Sequence, residues 1–68
     1  MHPMTARQIE RIKDAQNEAR RFIAKADAAI KTLRDAQYPD TRATAAAKRA
    51  SMDLTRALVG VRKSPYNE

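Results

Sequence analysis

From Thr5 to Gln37 the chain runs thirty-three residues without glycine or proline, and that unbroken stretch limits what it can fold into. Within it Ile9, Ile12, Gln16, Ala19, Ile23, Ala26, Ile30, Leu33 and Gln37 recur in alternating steps of three and four. Such spacing puts all nine on one stripe of an α-helix, with the seven-residue period of a coiled coil. Ala15, Phe22, Ala29 and Ala36 widen the stripe on one flank, while Gln16 and Gln37 interrupt it with amides. Thr5 followed by Gln8 reads as a capping box, each side chain satisfying the other residue's backbone N–H. Most other positions hold Ala, Arg, Lys, Gln or Glu, all good helix formers. The reading is a first helix over 5–37, preceded by a short arm at 1–4 that carries Pro3 and frays.

Tyr38-Pro39-Asp40 stops this helix, because proline disfavours the α conformation at the preceding residue and cannot extend the hydrogen-bond ladder. Asp40 or Thr41 then caps a second helix over 41–62. Its inner face steps through Ala43, Ala47, Ala50, Leu54, Ala57 and Val61, flanked by Ala46 and Leu58. Gly60 weakens the last turn, Arg62 and Lys63 suit the negative end of the helix dipole, and Pro65 blocks extension into the 63–68 tail. A three-residue connection makes the helices antiparallel. The expected fold is therefore all-α: one domain, 1–68, an antiparallel αα-hairpin.

One hairpin is a thin fold, since a sixty-eight-residue chain buries little core and usually needs a partner or a staple. Pairing from the turn outward carries Val61 only to about Arg20, leaving Ile9, Ile12 and Ala15 uncovered beyond the shorter helix. A second apolar line on helix two, Ala45, Met52 and Val59, points away from its inner face. Each large aliphatic left in water forfeits about 1.5–3 kcal/mol. Self-association cures both, so Ile9, Ile12, Met52 and Val59 are the expected interface of a helical-bundle oligomer, at least a two-fold dimer.

The chain has no cysteine and one histidine, His2, so disulfides, thiolate metal sites and a histidine-rich metal centre are all excluded. No nucleophile stands beside a positioned base, and no P-loop or dinucleotide fingerprint occurs. The expectation is a protein that is not an enzyme and uses no cofactor. Apolar runs too short for a membrane span or a signal peptide, with the absence of cysteine, suit the cytoplasm. A net charge of +6, fourteen Lys/Arg against eight Asp/Glu, draws anions without choosing among nucleotides, nucleic acid, membranes and acidic proteins. Arg7 and Arg11 lie one turn apart on helix one. At the start of helix two Thr41, Arg42 and Thr44 offer hydroxyls, a guanidinium and unpaired N–H groups within one turn, a phosphate-binding arrangement.

The order His2-Pro3-Met4-Thr5, Gln8, Arg11-Ile12-Lys13 and Pro39-Asp40-Thr41-Arg42, ahead of an Ala-rich second helix, resembles the anti-CBASS sponge family. These small helical phage proteins sequester the cyclic di- and trinucleotide signals of bacterial immunity, and the resemblance covers most of the chain. It implies an oligomer of helical hairpins in the bacterial cytoplasm that captures a cyclic nucleotide without cleaving it, so that the effector stays idle. Carried over by position, His2 lies over a base, Arg11 and Lys13 face phosphate from helix one, and Thr41 and Arg42 bind from helix two. Met1 stands where the family has an aromatic residue, Ala43 where it has Glu, and its late tryptophan is absent. Tyr38 or Tyr66 of a neighbouring copy is then the ring left for stacking.

Two other classes fit the same residues. A helical antagonist or adaptor would dock its Ile9/Ile12 or Met52/Val59 stripe into a groove of a host protein. A nucleic-acid-binding hairpin would use the +6 charge, although acids interleave with the bases instead of leaving a dense basic stripe. A membrane-surface helix fits least, because Glu10, Asp14 and Glu18 lie on the polar face of helix one.

Overall fold

In the computed structural model, which describes residues 3–35 and 41–63, the chain is two α-helices packed against each other. Helix α1 spans Pro3–Asp35 and helix α2 spans Thr41–Arg62. The start of α1 corrects the capping reading: Thr5 lies inside the first turn, and Pro3 and Met4 belong to the helix. Proline suits that place, since its fixed φ is helical and its missing N–H would have had no helical partner. The proposed turn at 38–40 and the tail at 64–68 fall outside the described residues.

The register is read from contacts between the helices. Arg21 Nη1 donates to Asp53 Oδ2 at 2.7 Å, and a Cβ built on Gly60 would lie 4.0 Å from Arg11 Cγ. The α2 residues therefore run antiparallel along α1 with facing numbers summing to about 72, which brings Ala43, Ala50 and Ala57 level with Ala29, Phe22 and Ala15. Two rows of seven-residue period, mostly alanine, thus face one another, and small side chains let backbones come close. Ala50, fully buried, and Ala15 and Ala29, nearly so, mark the line of closest approach.

Two expectations change. Val61 shares a cleft with Gln8, Arg11 and Ile12, so α2 reaches far past Arg20 and Ala15 is buried instead of overhanging. Matching the two alanine rows slides α2 toward the start of α1 and sets this reach. The long aliphatic stripe of α1 is also not the line of helix contact. Ile23 is 58% exposed and Leu33 55%, with Ile12 and Ile30 close behind, because α2 seats on the Ala15–Phe22–Ala29 flank.

Gly60 has no positive φ, and the space beside it admits a methyl group at ordinary contact distance. Gly60→Ala is expected to stabilise the fold by about 0.4–1 kcal/mol, by cutting the freedom of the unfolded chain without strain. A thermal melt followed by circular dichroism would show the midpoint rising by a few degrees.

Candidate functional site

Once the register is known, each side chain has a place around the pair. Because the helices are antiparallel, the flank of α1 that bears Ile12, Ile23, Ile30 and Leu33 and the flank of α2 that bears Leu54, Leu58 and Val61 form one side of the hairpin. The opposite side is polar. It carries Arg7, Arg11, Asp14, Glu18 and Arg21 from α1, and Arg42, Arg49, Asp53, Arg56 and Lys63 from α2.

Midway along the polar side Arg21 bridges Glu18 at 3.0 Å and Asp53 at 2.7 Å, and Arg56 lies 3.8 Å from Asp53. The hydrogen bond from Arg21 holds the Asp53 carboxyl below its usual range, against a weaker opposing push from desolvation. The bonds to Asp53 and then Glu18 raise the Arg21 guanidinium further above neutrality. The pair is exposed, so it ties the helices in register more than it stabilises them. With the folded pKa of Asp53 lowered, its contribution is complete above the ordinary carboxylate value and fades as pH falls through the lower folded value. An acid titration should show this small loss in the native protein and lack it in Asp53→Asn.

Among the described residues, two clefts bear on the charged groups. One of about 490 Å³ is lined by Asp14, Asn17, Glu18, Asp53, Arg56 and Ala57. Three carboxylates make it unsuited to an anion. The other, of about 230 Å³, lies at the open end, where the last turn of α2 passes the start of α1. Arg11 and Lys63 bring two cations to it, Gln8 an amide, and Ile12 and Val61 an apolar wall. Gly60 lies on the α2 wall of this cleft, across from the Arg11 stem. A cation pair beside an apolar wall suits a molecule that joins a phosphate to a flat, poorly solvated ring.

The residues expected to bind a ligand are not gathered in one chain. Arg11 lies in the open-end cleft, whereas Lys13 is exposed on the outer edge of α1. Thr41 and Arg42 are exposed at the other end, level with about residue 30, which puts them roughly 30 Å from Arg11 along the axis. His2 is outside the described residues. No small molecule reaches both groups on one hairpin. Sequence reasoning missed Gln8 and Lys63 as companions of Arg11; the only hint was a basic residue just past the last turn of α2, taken for a dipole partner. Of the four expected interface residues, Ile9 is half-buried and Ile12 half-exposed, while Met52 (59% exposed) and Val59 stand on the outer side of α2.

Among the described residues no group of His, Cys, Asp and Glu could hold a metal ion, and no helix is long and apolar enough to cross a membrane. No family model, curated protein or solved structure matches the chain.

Proposed function

We propose that this chain is a non-catalytic capture protein for a small phosphate-bearing nucleotide, in the manner of the anti-CBASS sponges that its sequence resembles. In that role it acts in the cytoplasm of a phage-infected bacterium, holding a cyclic di- or trinucleotide signal intact and lowering its free concentration. The observation that carries this reading is the open-end cleft, where Arg11 and Lys63 stand beside Ile12 and Val61. Guanidinium and ammonium groups bind phosphate oxygens, and the aliphatic pair covers a base that the scarcity of aromatic side chains leaves without a stacking ring. Capture needs no nucleophile or general base, in keeping with a chain that has neither in any recognisable arrangement.

Titration calorimetry with a panel of cyclic di- and trinucleotides tests it. The expected result is saturable heat with at least one of them, recovery of unaltered ligand after denaturation, and at least tenfold weaker binding by Arg11→Ala. No heat from any member of the panel would end this reading. A second reading, a helical antagonist of a host protein, draws on Met52 and Val59, seven apart and exposed on the outer side of α2. It predicts a specific host partner lost in Met52→Lys and no response to nucleotides. Nucleic-acid binding would instead show affinity falling steeply with salt and indifference to the small cyclic ligands.

A further inference from the structure

We propose that the aliphatic side of the hairpin, framed by basic edges, seats on the surface of an anionic lipid bilayer, with Ile23, Ile30 and Leu58 against the acyl chains. The proposal stands apart from the nucleotide reading, since none of these three residues lines the open-end cleft. Ile12, Ile23, Ile30, Leu33, Leu58 and Val61 lie on this side, which leaves only Met52 and Val59 of the exposed large apolar residues off it. The stretch from Ile12 to Leu33 runs about 30 Å along α1. Two helices about 8–10 Å apart, each about 10 Å across, make the side about 20 Å wide.

Charge identifies what covers it. Lys13, Arg20 and Arg34 line the edge of this side on α1, with Asp27 the single acid, and Lys48 and Arg62 line its edge on α2. Among the described residues Lys13, Arg34, Lys48 and Arg62 form no ion pair, and Arg20 donates to the neutral Asn17 amide at 3.1 Å. The other described acids, Glu10, Asp14, Glu18, Asp35 and Asp53, sit on the polar side or its outer margin, where Arg21 and Arg56 engage Glu18 and Asp53. The register therefore removes the objection that the acids of α1 raise against a membrane surface, because they face away from the lipid.

An anionic bilayer matches this arrangement layer by layer. A helix lying in the membrane plane buries its apolar face by about 5–10 Å at the boundary of headgroups and acyl chains. At the edges, lysine and arginine stems lie along apolar surface while their charges reach up to the phosphates. Ser51 lies within the side, and its hydroxyl donates to the Lys48 carbonyl at 2.6 Å, so it meets lipid with its donor satisfied. One acidic helix of a partner protein fits less well. Being about 10 Å across, it cannot bring counter-charges to two edges about 20 Å apart, whereas a bilayer reaches both.

Co-sedimentation of the full chain with lipid vesicles tests the proposal. Binding to phosphatidylcholine vesicles carrying 30 mol % phosphatidylglycerol should be at least tenfold tighter than to phosphatidylcholine alone, and severalfold weaker at 150 than at 20 mM NaCl. Ile23→Gln removes apolar surface from the lipid-facing side without changing charge and should weaken binding at least tenfold. Met52→Gln, on the outer side of α2, should leave it unchanged, with circular dichroism checking that both variants keep their helices. The wild-type protein supplies an independent reading. In bicelles of the same lipids with a nitroxide on the acyl chain, the methyl NMR signals of Ile23, Ile30 and Leu58 should broaden and that of Met52 stay sharp. Equal affinity for both kinds of vesicle, no binding to either, or equal broadening of all four residues would overturn the proposal. So would tight binding of a synthetic acidic amphipathic peptide by a chain that ignores the vesicles, which would assign the side to a protein helix.

Discussion

Ala50→Leu is expected to be the most damaging single exchange of one apolar residue for another in this chain. Ala50 has no exposed surface and lies level with Phe22 where the helices approach most closely. Three added carbons have nowhere to go unless the helices separate, and forcing them into a packed contact costs about 1–3 kcal/mol. In a chain below seventy or eighty residues the whole core supplies only about 3–5 kcal/mol, so that loss removes a large share of its stability. Ala45→Leu makes the same chemical change at an exposed position of the same helix and should fall within about 0.5 kcal/mol of wild type. Thermal melts of the two variants side by side check the contrast. Equal stability would mean that the helices do not meet at Ala50.

The second large effect concerns concentration. If the folded state is a pair of hairpins, a hundredfold dilution takes about 2.7 kcal/mol from each dimer, about 1.4 kcal/mol per chain. At the usual sensitivity for a small domain, that lowers the melting temperature by roughly 5–10 °C. A monomeric hairpin would melt at the same temperature at every dilution. Melts at 1 and 100 µM, read by circular dichroism, separate the two.

Both effects turn on a distinction that sequence periodicity alone draws incompletely. The two helices, their antiparallel packing and the alanine face of α2 were legible, because a glycine-free helical run, Pro39 and the Ala43–Ala50–Ala57 row each have a local physical cause. Which part of the broad apolar band on α1 meets α2 was not. Hydrophobicity points to the isoleucines, but close packing favours the smallest side chains, and the Ala15–Phe22–Ala29 flank wins. The clue was present as a seven-residue alanine period on both helices. Turning it into a register requires knowing how far one helix slides along the other, and residue spacing within one helix does not say.

The candidate site was less legible for the same reason. Arg11 was identified from α1 alone, whereas Lys63 joins it only because α2 reaches past Ile12, a non-local fact. Arg42 looked like a natural companion, yet antiparallel geometry sends it to the opposite end. The sorting of charge is likewise invisible before the register is known. Along the sequence the acids appear interleaved with the bases, while in the hairpin they collect on the polar side and leave basic edges around the aliphatic one.

The central claim is that a single hairpin is half of a fold. Its most direct test is the mass of the wild-type chain by sedimentation equilibrium at 10 µM and 150 mM NaCl, with helix content recorded on the same sample. A helical species of twice the 7.7 kDa chain mass, or a higher multiple, is predicted. A fully helical particle of 7.7 kDa would contradict it, since two such helices would then be stable with their aliphatic side in water.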